Sequence, residues 1–180
     1  EAREKYLAQI QKEKVKWEKE LAEEEKQSRE LESLIRSKQA SRTTGEPSRL
    51  LGRMIWPVEG RVSSEFGWRV HPIFKDRRFH AGMDIAAPKG TPVKAAAAGK
   101  VLDARYISGY GYTVILDHSG GITSLYAHNS KLSVKSGNSV KQGDTIAKAG
   151  STGWSTGPHV HFEVREDGVA KEPRNYLVRK

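Results

Sequence analysis

The chain has 180 residues, a formal net charge of +9 and no cysteine. That length accommodates one domain and an appendage, and the missing cysteine excludes disulfides, thiolate metal sites and a cysteine nucleophile. The charge is uneven: residues 1–45 hold 11 Lys/Arg against 10 Asp/Glu, and residues 46–180 hold 20 against 12. The C-terminal part is therefore the basic one, which suits an anionic polymer such as nucleic acid, an acidic membrane surface or cell-wall material. No apolar run reaches the ~20 residues of a membrane span. The start at Glu1, without a charged-then-apolar leader, reads as a mature or excised piece.

Residues 1–40 are rich in Glu, Lys, Gln, Ala and Leu and hold no Gly or Pro, which predicts one long helix. A seam at alternating spacings of three and four runs through Leu7, Ile10, Trp17, Leu21, Leu31 and Ile35, broken by Lys14 and by Glu24–Ser28. Such a seam predicts a coiled-coil segment that needs a partner helix, from a second copy or from an upstream helix. At ~1.5 Å per residue it would be on the order of 55–60 Å long. Its basic clusters are interleaved with acids and read as a solvated face. Gly45 and Pro47 end the helix, and residues 41–54 read as a linker.

From Ile55 the pattern becomes short strand-like runs between turn residues such as Glu59-Gly60, Ser119-Gly120-Gly121, Gln142-Gly143-Asp144 and Asp167-Gly168. The expected strands are residues 55–58, 61–64, 92–95, 100–104, 112–117, 123–128, 145–149 and 160–165. This predicts a mainly β domain over residues 55–180, an antiparallel sandwich or partly open barrel. Two turn-Val-Lys segments, from Gly90 and from Gly137, echo one another weakly.

The stretch Gly153–Val164 reads G-W-S-T-G-P-H-V-H-F-E-V. In a strand, His159 and His161 share one face while Val160 and Phe162 share the other. Paired imidazoles on one face suggest a metal site, or a general base beside one. His80-Ala-Gly-Met-Asp84 adds an imidazole and a carboxylate. Two histidines, one carboxylate and an open fourth position are what a catalytic zinc site needs, although His-x-x-x-Asp alone is a weak signal and Asp84 by itself reads as a residue that caps or bends a turn. His128 closes Ser124-Leu-Tyr-Ala-His at a strand end, where its side chain can reach a cleft.

Taken together, four separated motifs resemble the M23 zinc metallopeptidases, the lysostaphin/LytM-type peptidoglycan endopeptidases. They are Gly60-Arg-Val-Ser-Ser-Glu-Phe-Gly-Trp-Arg-Val-His-Pro, His80-Ala-Gly-Met-Asp84 with its continuation to Val93, Leu125-Tyr-Ala-His128, and Gly150 to Val164. The resemblance covers about two thirds of the chain. It implies that His80, Asp84 and His161 ligate Zn²⁺, and that His128 and His159 act as base or transition-state stabiliser. The implied reaction is hydrolysis of a peptide bond in the stem or cross-bridge of peptidoglycan, outside the cytoplasm. The implied fold is an antiparallel β core whose groove is walled by loops near residues 71–79 and 153–158. His71, Arg78 and Trp154 are candidate groove residues. His118, at a hairpin turn, reads as structural.

The helix joined to this domain also resembles the EnvC/NlpD-type murein hydrolase activators, which implies a membrane divisome complex as partner and a regulatory or masking role for the coiled coil. A phosphocarrier or lipoyl-type module would account for the weak echo but not for the carboxylate–imidazole cluster. Nucleic acid is not expected as a partner, since no recognition helix or stacking platform accompanies the charge.

Overall fold

The computed structural model describes residues 1–40, 50–70 and 74–179. The helix α1 spans Ala2–Ala40. Its helix-forming composition is complemented by Glu4 in the first turn and Lys38 in the last, each of the sign that favours its end of the helix dipole. Thirteen strands follow among the described residues: β1 (Val62–Ser64), β2 (Gly67–Val70), β3 (Arg77–His80), β4 (Met83–Ala86), β5 (Pro92–Lys94), β6 (Gly99–Ile107), β7 (Gly111–Asp117), β8 (Ile122–Asn129), β9 (Lys131–Leu132), β10 (Ser139–Val140), β11 (Thr145–Lys148), β12 (His159–Glu166) and β13 (Val169–Lys171).

The main sheet runs β1-β4-β12-β8-β7-β6-β10, with β13 paired to β12. A three-stranded sheet, β5-β11-β9, and the hairpin β2-β3 complete the fold. Pairing is antiparallel throughout these ladders, and the sheets do not close into a barrel.

Strand alternation divides the main sheet into two faces. Val160, Phe162 and Val164 of β12 and Tyr126 of β8 join Val93 and Ile146 of the small sheet in one core. On the opposite face, Leu102, Ile115, Leu125 and Ala127 pack under Leu31 and Ile35 of α1. Those two seam residues, expected to meet a partner helix, are instead 2% and 0% exposed against the chain's own sheet. The reason is spacing: they lie four apart on one helix face and meet an aliphatic patch already facing outward. Towards the N-terminus, Tyr6, Leu7 and Val15 stay exposed.

Two further differences from the sequence reading have local causes. Residues 55–58 do not form a strand. Met54 makes a lone parallel bridge to Leu177, and Pro57, which has no N–H, only accepts from Lys94 N at 2.8 Å. The hairpin β2-β3 and the strand β4 were not expected, because arginines dominate the former and β4 is short.

Candidate metal centre and cleft

Three segments converge on the sheet face beneath α1. β12 lies between β4 and β8, and the register sets His161 directly opposite Asp84 on one side and Ala127 on the other. Cross-strand partners have Cβ atoms ~4.5–5.5 Å apart, so this register alone brings imidazole and carboxylate together. His80 arrives from the end of β3. Gly82, between β3 and β4, permits the approach: a Cβ there would stand 2.6 Å from the Phe162 carbonyl oxygen and 2.9 Å from His161 Cε1. The glycine of His-Ala-Gly-Met-Asp is thus a packing requirement of the neighbouring strand.

The ligand atoms His80 Nε2, His161 Nδ1 and Asp84 Oδ1 lie 3.2, 3.3 and 2.8 Å apart (His80–His161, His80–Asp84, His161–Asp84). A tetrahedral zinc with bonds near 2.0–2.1 Å holds its ligand atoms about 3.3 Å apart. Two imidazole nitrogens and one carboxylate oxygen at these separations fit that ion, and the three residues form a group able to hold a metal.

Each imidazole is fixed through its other nitrogen, as ligating histidines usually are. His80 Nδ1 lies 2.8 Å from the Glu65 carbonyl oxygen and also meets the Arg69 guanidinium. His161 Nε2 donates to Glu163 Oε1 at 2.8 Å, and Arg165 Nε donates to Glu163 Oε2 at 2.6 Å. Glu163 and Arg165 are 0% and 2% exposed, a buried ion pair that stands only because both partners are hydrogen-bonded. Arg165 also donates to the Gly168 carbonyl at 3.0 Å and to Ser28 Oγ of α1 at 3.1 Å.

The electrostatics follow from this packing. Burial opposes ionisation of Asp84, but the hydrogen bonds from His161 and His80 outweigh it and hold the carboxyl well below its usual range. Burial likewise opposes a charged His161, yet Asp84 and Glu163 on either side raise it to about 9. For Glu163, burial would raise the carboxyl, and the Arg165 charge with His161 brings it down to about 2. A proton or a metal cation is what the space between these carboxylates favours.

His159 and His128 stand beside the ligand group with ring centroids 4.8 Å apart. Each has a carbonyl acceptor at Nδ1, Gly157 O at 2.8 Å for His159 and Thr152 O at 2.7 Å for His128. The Nδ1 proton belongs to those bonds, which leaves each Nε2 unprotonated in the neutral ring. His159 Nε2 is 3.7 Å from Asp84 Oδ1. His128 has φ of 60° near the end of β8, an uncommon left-handed conformation for a side-chain-bearing residue. Burial, with the nearby His161 charge, lowers His128 to about 4.

These side chains line a cavity of about 380 Å³ whose other wall is α1, through Glu24, Gln27, Ser28 and Glu32 among others. Of the three expected groove residues, Arg78 and Trp154 line this cleft, whereas His71 lies outside the described residues. His118 is buried between the Ala98 carbonyl and Ser124 Oγ, both at 2.7 Å. Glu163 and Arg165 were not singled out from sequence, nor was Tyr110, whose ring centroid lies 5.8 Å from that of His161; a masking role for the helix was expected from the resemblance. The alternation that paired His159 with His161 extends to Glu163 and Arg165, so that signal was present; for Tyr110, and for which α1 residues would wall the cleft, none was.

Comparison with known proteins gives this arrangement a context. Residues 78–173 match the family model described as Peptidase family M23. Over 116 residues the chain is 48% identical to the "DD-carboxypeptidase/endopeptidase Mpg" of Neisseria meningitidis, covering 64% of this chain and 27% of that protein. Over 128 residues it is 37% identical to the "Murein hydrolase activator EnvC" of Escherichia coli, covering 71% and 30%. A solved "zinc containing peptidase" from Vibrio cholerae superposes with a TM-score of 0.65 at 34% identity, covering 73% of this chain and 41% of that one. The chain thus spans less than a third of the length of these two curated relatives.

Proposed function

Because the chain belongs to peptidase family M23, we propose that it is a zinc-dependent endopeptidase acting on peptide bonds of peptidoglycan stems or cross-bridges, outside the cytoplasm. His80, Asp84 and His161 would hold the ion. A bound zinc would supply a Lewis acid for the scissile carbonyl and make a water acidic enough to ionise near neutral pH. The chain's own groups do the rest. His159 and His128 present Nε2 to the cleft: unprotonated, it accepts a proton from the attacking water, and protonated, it donates to the developing oxyanion or the leaving amine. Glu163, backed by Arg165, keeps the His161 proton on Nε2 and so leaves Nδ1 free as a ligand atom.

The observation that carries this reading is the separation of the three ligand atoms, which suits a single tetrahedral ion. Metal analysis of the purified chain and clearing of purified cell walls test it. His161→Ala is expected to lose both zinc and wall clearing; a variant that clears walls at the full rate with no zinc would refute the assignment.

A second reading is favoured by one observation. The cleft is walled by α1, and a relative that shares this domain is named as a hydrolase activator. In that reading the chain stimulates a separate amidase, and α1 governs exposure of the cleft. Absence of clearing by zinc-loaded protein, with stimulation of an added amidase, would favour it. In either reading the exposed seam residue Leu7, with the exposed Tyr6 and Val15 near it, is left for a coiled-coil partner in a membrane-associated division complex. Among the described residues no helix is long and apolar enough to cross a membrane.

A further inference from the structure

We propose that Arg78 is the cleft's receptor for a carboxylate of the peptide ligand, and that Glu24 of α1 occupies that receptor from within the chain. The proposal rests on the cleft being a peptide-binding site, as above.

The argument begins with alternation in β3. Arg77 and Phe79 are exposed, while Arg78 and His80 are half-buried. On the outer face Phe79 packs edge-on against Phe66 and Trp68, at 5.1 and 5.3 Å between ring centroids. Arg78 therefore shares the inner face with the ligand histidine His80, two residues away. Among the described residues lining the cleft, the only other Lys or Arg is Arg29, and it belongs to the helix. Arg78 is thus the cationic group that the sheet side itself brings to the cleft.

Among the described residues, its hydrogen bond and its aromatic contact are both to α1, while Asp84 on the sheet adds a longer-range attraction. The guanidinium donates to Glu24 Oε1 and lies 5.2 Å from the ring centroid of Trp17. A planar guanidinium held by a carboxylate along its edge and an aromatic ring on its face is an arrangement well suited to carboxylate recognition. The helical wall adds Glu25 and Glu32, so its charge repels an incoming anion while α1 is docked. An anionic peptide must displace Glu24 to reach Arg78, whereas a peptide whose carboxylates are amidated gains nothing at this point. The ligand class is a peptide with a free carboxylate, either at its C-terminus or on a side chain near the bond presented to the metal centre.

The test is equilibrium binding of a synthetic stem peptide to the full zinc-loaded chain. Three forms of the peptide are compared: all carboxylates free, only the C-terminal carboxylate amidated, and only the side-chain carboxylates amidated. Glu24→Gln is expected to bind the free form about tenfold to a hundredfold tighter than wild type, the span of one charge-assisted contact. Glu24→Gln/Arg78→Gln should lose that gain, and Glu24→Gln/Arg78→Lys should keep part of it. The amidated form that loses the gain identifies which carboxylate Arg78 takes. Equal gains for the free and both amidated forms would mean that Glu24→Gln merely loosens the helix, and would overturn the proposal. Binding that is indifferent to Arg78, or no binding of the free form by Glu24→Gln, would overturn it too. Wall clearing by the wild-type preparation reports separately on the peptidase reading.

Discussion

On the floor of the cleft the functional side chains are placed by strand register: His161 stands opposite Asp84, and His159, His161, Glu163 and Arg165 repeat along one face of β12. On the roof, α1 rests on two buried aliphatics and a few side-chain contacts, among them Arg165 to Ser28 at 3.1 Å and Lys38 to Asp103 at 3.2 Å. Moving a floor group means breaking backbone ladders between central strands. Moving the roof means exposing one aliphatic patch and exchanging a few polar contacts for water. On the proposed reading, the difference teaches where chemistry and control would be separable: the candidate reactive groups belong to the layer held by strand ladders, and the helix that walls the cleft belongs to the other.

The floor can be broken without moving any strand. His159→Ala removes a cleft-facing nitrogen but none of the three ligand atoms. Turnover is expected to fall about 10²–10⁴-fold, the usual contribution of a positioned acid or base, while zinc content stays at the wild-type level. Loss of zinc along with turnover would instead make His159 part of the ligand set. The remaining histidine sets the acid limb of the rate profile. Its ordinary value is 6.5, and burial lowers His128 to about 4. The ring therefore stays neutral as pH falls through 6.5, and kcat/KM is expected to hold there and to decline only as pH approaches about 4. A limb at or above pH 6.5 would assign the essential base elsewhere.

A smaller effect sharpens the account of how the floor is tuned. Glu163→Gln keeps an acceptor for His161 Nε2 but removes the charge, and the loss of a carboxylate behind a ligating histidine typically weakens metal binding about 10–100-fold. Chelator competition measures this directly. Because the single variant strands the buried Arg165 charge, Glu163→Gln/Arg165→Met is the companion: it removes both charges at similar volume. Zinc affinity unchanged in both would mean that strand register alone orients His161.

How much of this was legible in the sequence divides along the same line. The floor was, because its signals are local. A period of two in residues 159–164 puts His159 and His161 on one face, and the four-residue spacing of His80 and Asp84 spans a bend whose glycine is needed for close packing. The same period would have reached Glu163 and Arg165 had it been followed past Phe162. The roof was not. Leu31 and Ile35 read as coiled-coil positions because a heptad seam records only that a face is apolar, not what covers it. Their partners, Leu102, Ile115, Leu125 and Ala127, lie in strands far along the chain, and nothing local links the two. The hairpin β2-β3 was likewise obscured, since Arg69, Arg77 and Arg78 break the apolar alternation by which strands are recognised.

The smallest expected effect tests the roof itself. Leu31→Ala/Ile35→Ala truncates the two aliphatics that seat α1, each worth about 2–5 kcal/mol of burial when fully enclosed. That cost falls on docking, because the core on the other face of the sheet, with Val160, Phe162 and Val164, is untouched. The undocked population should rise, and with it access to His159 and His128. Wall clearing is therefore expected to increase several-fold, together with faster proteolytic cleavage within α1 and unchanged zinc content. Faster cleavage of α1 with no gain in clearing would show that the helix packs beside the cleft without restricting it. In that case the control of access proposed for the roof would have to lie in the acidic wall and its hold on Arg78 rather than in the seating of the helix.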